Sequence, residues 1–310
     1  MLARHIMTDK ADQPTIGILF PGEMGSSSGK LLAERGFHVV TTAAGRGPRT
    51  QRLAREAGLT ILPSVHEVLE RSAIIISLVH PAAALALATE VAGLVQGSSR
   101  RWLYVDANSI SPQTAVQISQ VLRRAPVDFV DACIFGLASQ LRQRGRLYLS
   151  GSRAAELASL LAGFIPIKVA GAAPGQASAF KMIISSIPKG LIGLFVETMV
   201  LARQMGLLGE ALETCNELYP GVMEVAKRML PTYPQHAGRR GEELREVEST
   251  MLESGLSPRV LRGVREVTVN LAGVGWSKGQ DPQQWTLAEL LEDIHRSRIL
   301  HGEKAEATPP

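Results

Sequence analysis

The chain has 310 residues, of which 45% are hydrophobic and 20% charged, a balance that excludes a disordered tail protein, a collagen-like chain and a coiled coil. Lysine and arginine outnumber aspartate and glutamate by 33 to 29, and so even a mixture does not indicate nucleic-acid binding. Neither of the two cysteines, Cys133 and Cys215, lies in a C-x-x-C or Cys/His pattern, so we expect no disulfide framework, no metal site and a reducing, cytoplasmic location.

Short apolar or β-branched runs alternate with helix-like stretches in the first half of the chain. Strands are predicted at residues 15–20, 37–42, 74–79, 102–106, 129–134 and 146–149, and helices at residues 26–35, 48–57 and 112–123. Runs that are apolar on both faces are typical of a parallel sheet covered by helices on each side. We therefore expect an α/β Rossmann N-terminal domain with a doubly wound, mostly parallel sheet at residues 14–170, after a flexible tail at residues 1–13.

The strand signals stop near Val169, and the rest of the chain has the pattern of helices. Breaks between them are predicted at Gly206, Pro220 and residues 231–238, 255–258 and 273–282. We expect an all-α C-terminal domain at residues 171–302 and a disordered tail at residues 303–310. Glu197 interrupts the apolar run at residues 191–202 before it reaches the length of a membrane span, so no membrane segment is expected.

The first predicted strand runs directly into a glycine-containing turn. Gly22 and Gly25 occupy the second and third glycine positions of a Rossmann fingerprint, while Phe20 stands at the first. Glycine there lets the N–H groups of a helix start approach a pyrophosphate, which the helix dipole favours. The predicted cofactor-binding turn comprises Pro21, Gly22, Glu23, Met24 and Gly25. The alternative is an ordinary strand-to-helix turn in which the glycines serve close packing.

The same stretch also contains a G-x-S-x-G pattern from Gly25 to Gly29. This pattern is typical of the nucleophile elbow of α/β hydrolases, and it would make Ser27 a nucleophile. The elbow normally follows several strands, and its partner acid and histidine lie on later strand ends of the same sheet. Serine hydrolysis through Ser27 is therefore a remote alternative.

The loop after the second strand indicates which nicotinamide cofactor is bound. No acidic residue occurs between Phe37 and Arg55, although an NAD site places one there for the ribose hydroxyls. Arg46, Arg49 and Thr50 offer two guanidinium groups and a hydroxyl instead, which suit a 2′-phosphate. We therefore predict NADP (as NADPH) as the cofactor and NAD as the less favoured one. The alternative is that these arginines only solubilise a loop.

Polar residues follow several of the predicted strands. Ligands of open α/β sheets lie beyond the carboxyl ends of the strands, so these residues are expected to border one crevice. The cofactor candidates there are Val79, His80, Pro81 and Asn108, and the substrate candidates are Ser109 and Asp131. Asp131 could equally cap a neighbouring loop. His80 has no partner at ligand spacing, which argues against a metal.

When the start of the helical half is considered together with the motifs of the first half, the chain resembles the β-hydroxyacid dehydrogenase superfamily. This superfamily includes the 6-phosphogluconate and 3-hydroxyisobutyrate dehydrogenases. The motifs that carry the resemblance are Pro21-Gly22-Glu23-Met24-Gly25, Asn108-Ser109-Ile110-Ser111-Pro112, Gly175-Gln176-Ala177-Ser178-Ala179-Phe180-Lys181-Met182, Ser185, Lys189-Gly190 and Gln235-His236-Ala237-Gly238-Arg239-Arg240. They look like a branch in which an NAD-binding domain of the 6-phosphogluconate dehydrogenase type precedes a helical domain of unknown function. The resemblance implies that Lys181 is the catalytic general acid and base, with Ser185 one helical turn later, and that the helical domains form a homodimer.

Two departures from the superfamily pattern affect the expected substrate. Phe135-Gly136-Leu137 stands where the better-known members have a Ser-Gly-Gly that binds the substrate carboxylate, and Ser185 replaces an amide. A ketone, an aldehyde or an imine thus becomes plausible. The predicted substrate pocket comprises Ser109, Asp131, Phe135 and Gly136, with His236 and Arg239 reaching in from the helical domain.

Together these features predict an NADP-dependent oxidoreductase that transfers a hydride between the nicotinamide and a small organic molecule in a cleft between the domains. Neither nucleic acid nor a membrane is an expected partner. An alternative of another class is a non-catalytic NADP-binding regulator or interaction module, which the fold alone does not exclude.

Overall fold

The structure, a computed structural model, describes residues 13–300. Apart from Gln13, the tails predicted at residues 1–13 and 303–310 lie outside that range. The chain forms two compact units that divide between Lys181 and Met182, a little later than the domain boundary expected after residue 170.

The first unit contains a single eight-stranded sheet. Its strands are β1 (Ile16–Leu19), β2 (Val39–Thr42), β3 (Thr60–Leu62), β4 (Ile74–Ser77), β5 (Trp102–Asp106), β6 (Val127–Phe135), β7 (Arg146–Ser150) and β8 (Ile167–Gly171). They lie in the order β3-β2-β1-β4-β5-β6-β7-β8, and only the β6–β7 pair is antiparallel. The predicted doubly wound, mostly parallel sheet is therefore confirmed.

Helices cover both faces of this sheet because its strands are apolar on both sides. They are α1 (Glu23–Glu34), α2 (Pro48–Glu56), α3 (Val65–Arg71), α4 (Ala84–Leu94), α5 (Pro112–Leu122), α6 (Leu141–Arg144) and α7 (Ala154–Leu160). Ile74 and Ile76 pack into the core beneath α1, α2 and α7, whereas Ile75 packs into the core beneath α3, α4 and α5. Successive side chains of a strand point to opposite faces, so one apolar run supplies both cores.

Two short strands, β3 and β8, were not among the predicted ones. β3 has three residues, and the three central residues of β8 are exposed, so neither forms an apolar run of the usual strand length. Both lie at the edges of the sheet, where one face of a strand can remain in solvent.

The second unit is helical, as predicted. It consists of the greater part of α8 (Gln176–Gln204), which begins in the first unit, and of α9 (Leu208–Leu218), α10 (Pro220–Met229), α11 (Tyr233–Glu253), α12 (Arg259–Leu271) and α13 (Leu287–Ser297). The break predicted at residues 231–238 is wrong for most of its length, because α11 begins at Tyr233 after a single 3-10 turn. Pro234 lies in the first turn of α11, where a missing N–H removes no helical hydrogen bond.

The α8 helix corrects one sequence expectation. It is long and apolar enough, by length and composition, to cross a membrane, although no stretch of that kind was predicted. One third of its most apolar segment is buried, and core helices of water-soluble proteins meet the same criterion. Pro188 lies inside the helix, where it removes one backbone donor.

Candidate cofactor site and active site

The turn between β1 and α1 has the features of a phosphate-binding turn. Phe20 adopts a φ of 54°, the left-handed conformation that the first fingerprint glycine would supply. Gly22 caps α1 without any side-chain hydrogen bond, and a Cβ built on it would have no atom within 4 Å. Gly25 packs closely, since its Cβ would lie 3.2 Å from the Cβ of Pro21. The first N–H groups of α1 are therefore open to an anion, and the turn fits a dinucleotide pyrophosphate.

The order of the strands places this turn at the point where ligands bind in open α/β sheets. β1 lies between β2 and β4 in the sheet, and the chain crosses from one side of β1 to the other after β3. A crevice opens beyond the carboxyl ends of strands at such a switch point. The predicted cofactor residues at the end of β1 and those after β4 therefore lie at the same edge of the sheet.

The two predicted arginines of the β2–α2 loop have different partners. The guanidinium of Arg46 lies over the ring of Phe20, 4.3 Å from its centroid, which is a cation–π contact. Arg49 forms an exposed ion pair with Glu23 in the first turn of α1. Thr50 is half-buried, and its N–H bonds to the carbonyl of Gly47. Arg46 and Arg49 are thus both linked to the phosphate-binding turn.

Asn108 joins the ends of two strands. Its Oδ1 accepts from the N–H of Val79 at 2.6 Å, and its Nδ2 donates to Ser77 Oγ and Asp106 Oδ2, both at 2.9 Å. Burial of Asp106 raises the pKa of that carboxyl to about 7, against the effect of the hydrogen bonds from Asn108. Asn108 is buried, and its side chain connects the segment after β4 to β5, which fixes the backbone of Val79 at the end of β4.

The other residues predicted after β4 and β5 are less buried than Asn108. His80 is exposed and begins a 3-10 turn with Pro81, its Nδ1 accepting from the N–H of Ala82 at 3.4 Å. Ser109 and Pro81 are half-buried. In the part of the chain from residue 13 to 300, no group of three histidine, cysteine, aspartate or glutamate side chains is arranged to hold a metal ion.

Asp131, a predicted substrate residue, is fully buried and anchors the start of α8. Its Oδ1 accepts from Ser178 Oγ at 2.6 Å, and its Oδ2 accepts from Ser178 N–H and Ser150 Oγ, both at 3.0 Å. Ser150 Oγ in turn accepts from the N–H of Ala177 at 2.9 Å. The contacts that the structure gives Asp131 are thus those of a carboxylate that caps a helix N-terminus from a neighbouring strand.

Lys181 lies one turn further along α8, close to the carboxyl end of β6. Its Nζ donates to the carbonyl of Ile134 at 2.9 Å. Phe135 follows Ile134 in the chain and Phe180 precedes Lys181, and their ring centroids lie 5.9 Å apart. The ring centroid of Tyr148 on β7 lies 4.4 Å from that of Phe180 and 5.5 Å from that of Phe135. A half-buried ammonium and an aromatic cluster therefore occur together, and Gly136 follows with a φ of 116°.

The remaining predicted residues lie in the helical unit. Ser185 Oγ is 3.3 Å from the Nζ of Lys189, which forms an ion pair with Glu243 at 3.0 Å. Arg239 binds the other oxygen of Glu243 at 3.3 Å, whereas His236 is a half-buried residue of α11. The structure thus connects Ser185 to Arg239 through Lys189 and Glu243, two residues that were not among the predicted site residues. The two pairs 185/189 and 239/243 have helical i, i+4 spacing, which is the sequence signal that links the members of each pair.

The alternative role of Ser27 has no structural support. Ser27 is the fifth residue of α1, whereas a nucleophile elbow places its serine in the turn between strand and helix. The structure therefore contradicts the hydrolase alternative at that residue.

Comparisons with known proteins agree with this geometry. Residues 15–162 match the family described as the NAD binding domain of 6-phosphogluconate dehydrogenase, and residues 202–271 match a domain of unknown function, DUF1932. A conserved protein of unknown function, MTH1747, whose structure is described as similar to 3-hydroxyacid dehydrogenases, is 32% identical. The match covers 83% of this chain and 96% of that one, with a TM-score of 0.67.

Two enzymes share the fold at lower identity. The 3-hydroxyisobutyrate dehydrogenase of Mycobacterium tuberculosis, solved with L-serine, is 15% identical over 91% of this chain and 99% of that one, with a TM-score of 0.71. An imine reductase from Myxococcus stipitatus, solved with NADP+, is 18% identical over 91% of this chain and 100% of that one, with a TM-score of 0.57, and a variant of it was solved with NAD+.

The chain therefore belongs to the family that joins a 6-phosphogluconate dehydrogenase-type NAD-binding domain to a DUF1932 domain, within the β-hydroxyacid dehydrogenase superfamily. It has the fold of the 3-hydroxyacid dehydrogenases, and its N-terminal unit is an NAD(P)-binding domain.

The buried carboxyl of Asp106 makes the stability of the protein depend on pH. Burial raises its pKa to about 7 from 3.8, so the unfolded chain releases a proton that the folded chain keeps. The free energy of unfolding should therefore fall as the pH rises from about 4 to 7, by up to about 1.4 kcal/mol per pH unit from this group. Urea unfolding across that range should show a weaker fall in Asp106→Asn. The exposed control Glu90→Gln should show the same change of unfolding free energy with pH as the wild type. If this change is equal in all three proteins, the pKa of Asp106 is not raised.

Proposed function

We propose that the protein is an NADP-dependent oxidoreductase that transfers a hydride between the nicotinamide and a small organic carbonyl or imine compound, or the matching alcohol or amine. The observation that supports this most is the placement of Lys181. Its ammonium lies near the carboxyl end of β6, and β6 runs parallel to β5, β4 and β1. The carboxyl ends of parallel strands meet at one edge of the sheet, so Lys181 and the phosphate-binding turn lie at the same edge.

When bound, NADPH would supply the hydride, and the chain must supply the proton that accompanies it. Lys181 is the residue that fits this role, because an ammonium group carries three donors. One donor bonds to the carbonyl of Ile134, which fixes the direction of the side chain at the carboxyl end of β6. In the reverse direction the neutral amine would accept the proton.

The aromatic cluster supports an apolar substrate. Phe135, Tyr148 and Phe180 form edge-to-face and tilted contacts with one another, and Phe135 stands where the better-known superfamily members have the hydroxyl of a serine. Ring faces favour hydrocarbon groups, and Phe135 offers no hydrogen bond to a carboxylate. A ketone, an aldehyde or an imine with an apolar substituent suits these surroundings, and the fold likeness to an imine reductase agrees with that class.

The preference for NADP rests on Arg46. Its guanidinium is exposed, lies against Phe20 and follows β2, where the adenosine ribose of a dinucleotide binds. Stacking on a ring orients the guanidinium before the cofactor arrives, so less entropy is lost when it binds a 2′-phosphate. Arg49 and Thr50 would assist from the start of α2. The two cysteines are both free thiols, which suits a reducing compartment such as the cytoplasm.

Arg46→Ala should weaken NADPH binding roughly ten- to a hundredfold and leave NADH binding nearly unchanged. A charge-assisted hydrogen bond to phosphate contributes about 1.5–3 kcal/mol, which corresponds to that loss. Isothermal titration with both cofactors measures the effect. Arg52→Ala, a change of the same kind on an exposed residue of α2, is the control and should leave both affinities unchanged. Equal affinity of the native protein for NADH and NADPH would refute the preference.

Lys181→Met should lower kcat roughly a hundredfold or more while the affinity for NADPH is retained, since only the proton donor is lost. NADPH consumption would be followed with cyclohexanone, benzaldehyde and a methylated pyrroline as probes. Lys168→Met on the exposed face of β8 is the control. Native turnover in the Lys181 variant would assign the lysine a structural role. Tight NADPH binding without turnover of any carbonyl or imine probe would favour the non-catalytic regulator instead.

We also propose a homodimer through the helical unit. Residues at alternating three- and four-residue spacing along α8 form a stripe that is apolar except for Thr198, namely Ile184, Ile187, Leu191, Leu194, Thr198, Leu201 and Met205. Leu194 is 64% exposed and Met205 66%, so residues 13–300 leave much of the stripe open to solvent. This spacing is that of a helix that packs along another helix, and an equivalent stripe in a second copy would match it in length and composition.

The double variant Leu194→Glu/Leu201→Glu should convert the dimer to a monomer in light scattering coupled to size-exclusion chromatography, because four carboxylates would be buried in the contact. The single change Leu218→Glu, at an exposed leucine of α9 outside the stripe, is the control. A native protein that is monomeric at micromolar concentration would exclude this contact.

A further inference from the structure

A buried lysine of the helical unit contacts a residue that the sequence assigned to catalysis. Lys189 is only 5% exposed. Its Nζ lies 3.0 Å from Glu243 Oε2 on α11 and 3.3 Å from Ser185 Oγ, one turn earlier on α8. The ion pair therefore positions the ammonium beside the hydroxyl of Ser185.

The surroundings of Lys189 contain more positive than negative charge. Glu243 is shared with Arg239, which binds its other oxygen at 3.3 Å. Arg240 is also buried, with its guanidinium 4.3 Å from the centroid of the Tyr233 ring and 2.6 Å from Thr232 Oγ1. Burying an ion pair costs desolvation, and apolar residues of similar size often stabilise a core as well or better. Stability alone is thus a weak reason for a lysine at this position.

The chemistry of the contact defines what Lys189 can do to Ser185. A charged ammonium can only donate, so Ser185 Oγ must accept the hydrogen bond. The hydroxyl proton of Ser185 then points away from Lys189, and the acceptor that the structure gives it is the carbonyl of Met182 at 3.4 Å, a long distance for an O–H donor. Ser185 is thereby set up as a donor to another oxygen or nitrogen. Because it follows Lys181 by four residues, both side chains lie on one face of α8.

We propose that Lys189, held by Glu243, is a positioning residue that orients the Ser185 hydroxyl as a hydrogen-bond donor to the substrate. This inference rests on the proposed reductase function, in which Lys181 delivers the proton. Ser185 would then donate a hydrogen bond to the oxygen or nitrogen of a bound substrate.

The titration of Lys189 gives the proposal a measurable signature. Burial lowers the pKa of Lys189, Glu243 opposes that effect, and the positive charges of Arg240 and Arg239 lower the pKa further. Above its pKa the neutral amine can accept a hydrogen bond, and the Ser185 hydroxyl can then turn towards it. The kcat of NADPH oxidation should therefore fall at alkaline pH as Lys189 loses its proton. Glu243→Gln removes the opposing charge and should move that fall to lower pH.

The first test examines the contact without any turnover. NMR of the full chain with lysine labelled with ¹⁵N at Nζ, assigned by the loss of one signal in Lys189→Met, reports the titration and hydrogen exchange of this ammonium. We expect Lys189 to titrate below the exposed lysines, with a further decrease in Glu243→Gln, and Ser185→Ala to change its chemical shift and speed its exchange. If Ser185→Ala leaves both unchanged, Lys189 does not orient Ser185 and the proposal is overturned.

The second test is a double-mutant cycle on the rate of NADPH oxidation, with the best of the three probe compounds. Lys189→Met and Ser185→Ala should each lower kcat roughly tenfold, the effect of one lost charge-assisted hydrogen bond, with the NADPH affinity unchanged. The double variant should be no slower than the slower single variant, because the two residues act as one unit. Lys227→Met on α10, where the lysine bonds only to Asn216 among the described contacts, is the matched control.

Additive effects of the two changes would overturn the proposal, since independent residues add. If Lys189→Met does not fold, Glu243→Gln takes its place in the cycle, and an alkaline limb that does not move counts against the proposal. Absence of turnover by the native protein with every probe would refute the proposed function, whereas the NMR result would still decide whether Lys189 orients Ser185.

Discussion

The buried carboxylate of Asp131 is the contact on which the candidate active site depends. α8 starts without a capping side chain of its own in the preceding turn, and Asp131 and Ser150, from two strands, accept the first hydrogen bonds of the helix. Three residues further along each element, the carbonyl of Ile134 binds Lys181. The same stretch of β6 thus fixes both the start of the helix and its lysine. Because the carboxylate faces the positive end of a helix dipole, its hydrogen bonds offset part of the cost of burying it.

The sequence predicted the parts of the fold that depend on local pattern. Central strands such as β4 are apolar on both faces, and a purely apolar run is a strong signal for a buried parallel strand. β8 could not be found in this way, because its pairing with β7 and not its burial makes it a strand. The predicted break at residues 231–238 failed for a related reason. Proline was counted as a helix breaker, although the first turn of a helix accepts it.

The candidate site was predicted less completely, since contacts between distant residues decide it. The motif around Lys181 and the glycine turn follow from sequence because each is continuous in the chain. The partnership of Lys189 with Glu243 joins residues of α8 and α11, and charged residues on a helix are usually solvated. The pairing of Arg49 with Glu23 is similar. Arg49 alone suggests a phosphate contact and Glu23 alone a solvated surface, and only the fold brings the two side chains together.

Phe20 shows how the departure from the fingerprint is accommodated. A side chain in the left-handed region costs roughly 1–2 kcal/mol relative to glycine, so a phenylalanine there is a strained choice. The ring also serves as the platform for Arg46, and an exposed cation–π contact contributes about 0.5–1 kcal/mol. The contact therefore offsets part of the strain but not all of it. A glycine at this position would keep the conformation of the turn but would remove the ring on which Arg46 stacks. Phe20 therefore connects the conformation of the turn to the orientation of Arg46, the residue that we propose to bind the 2′-phosphate.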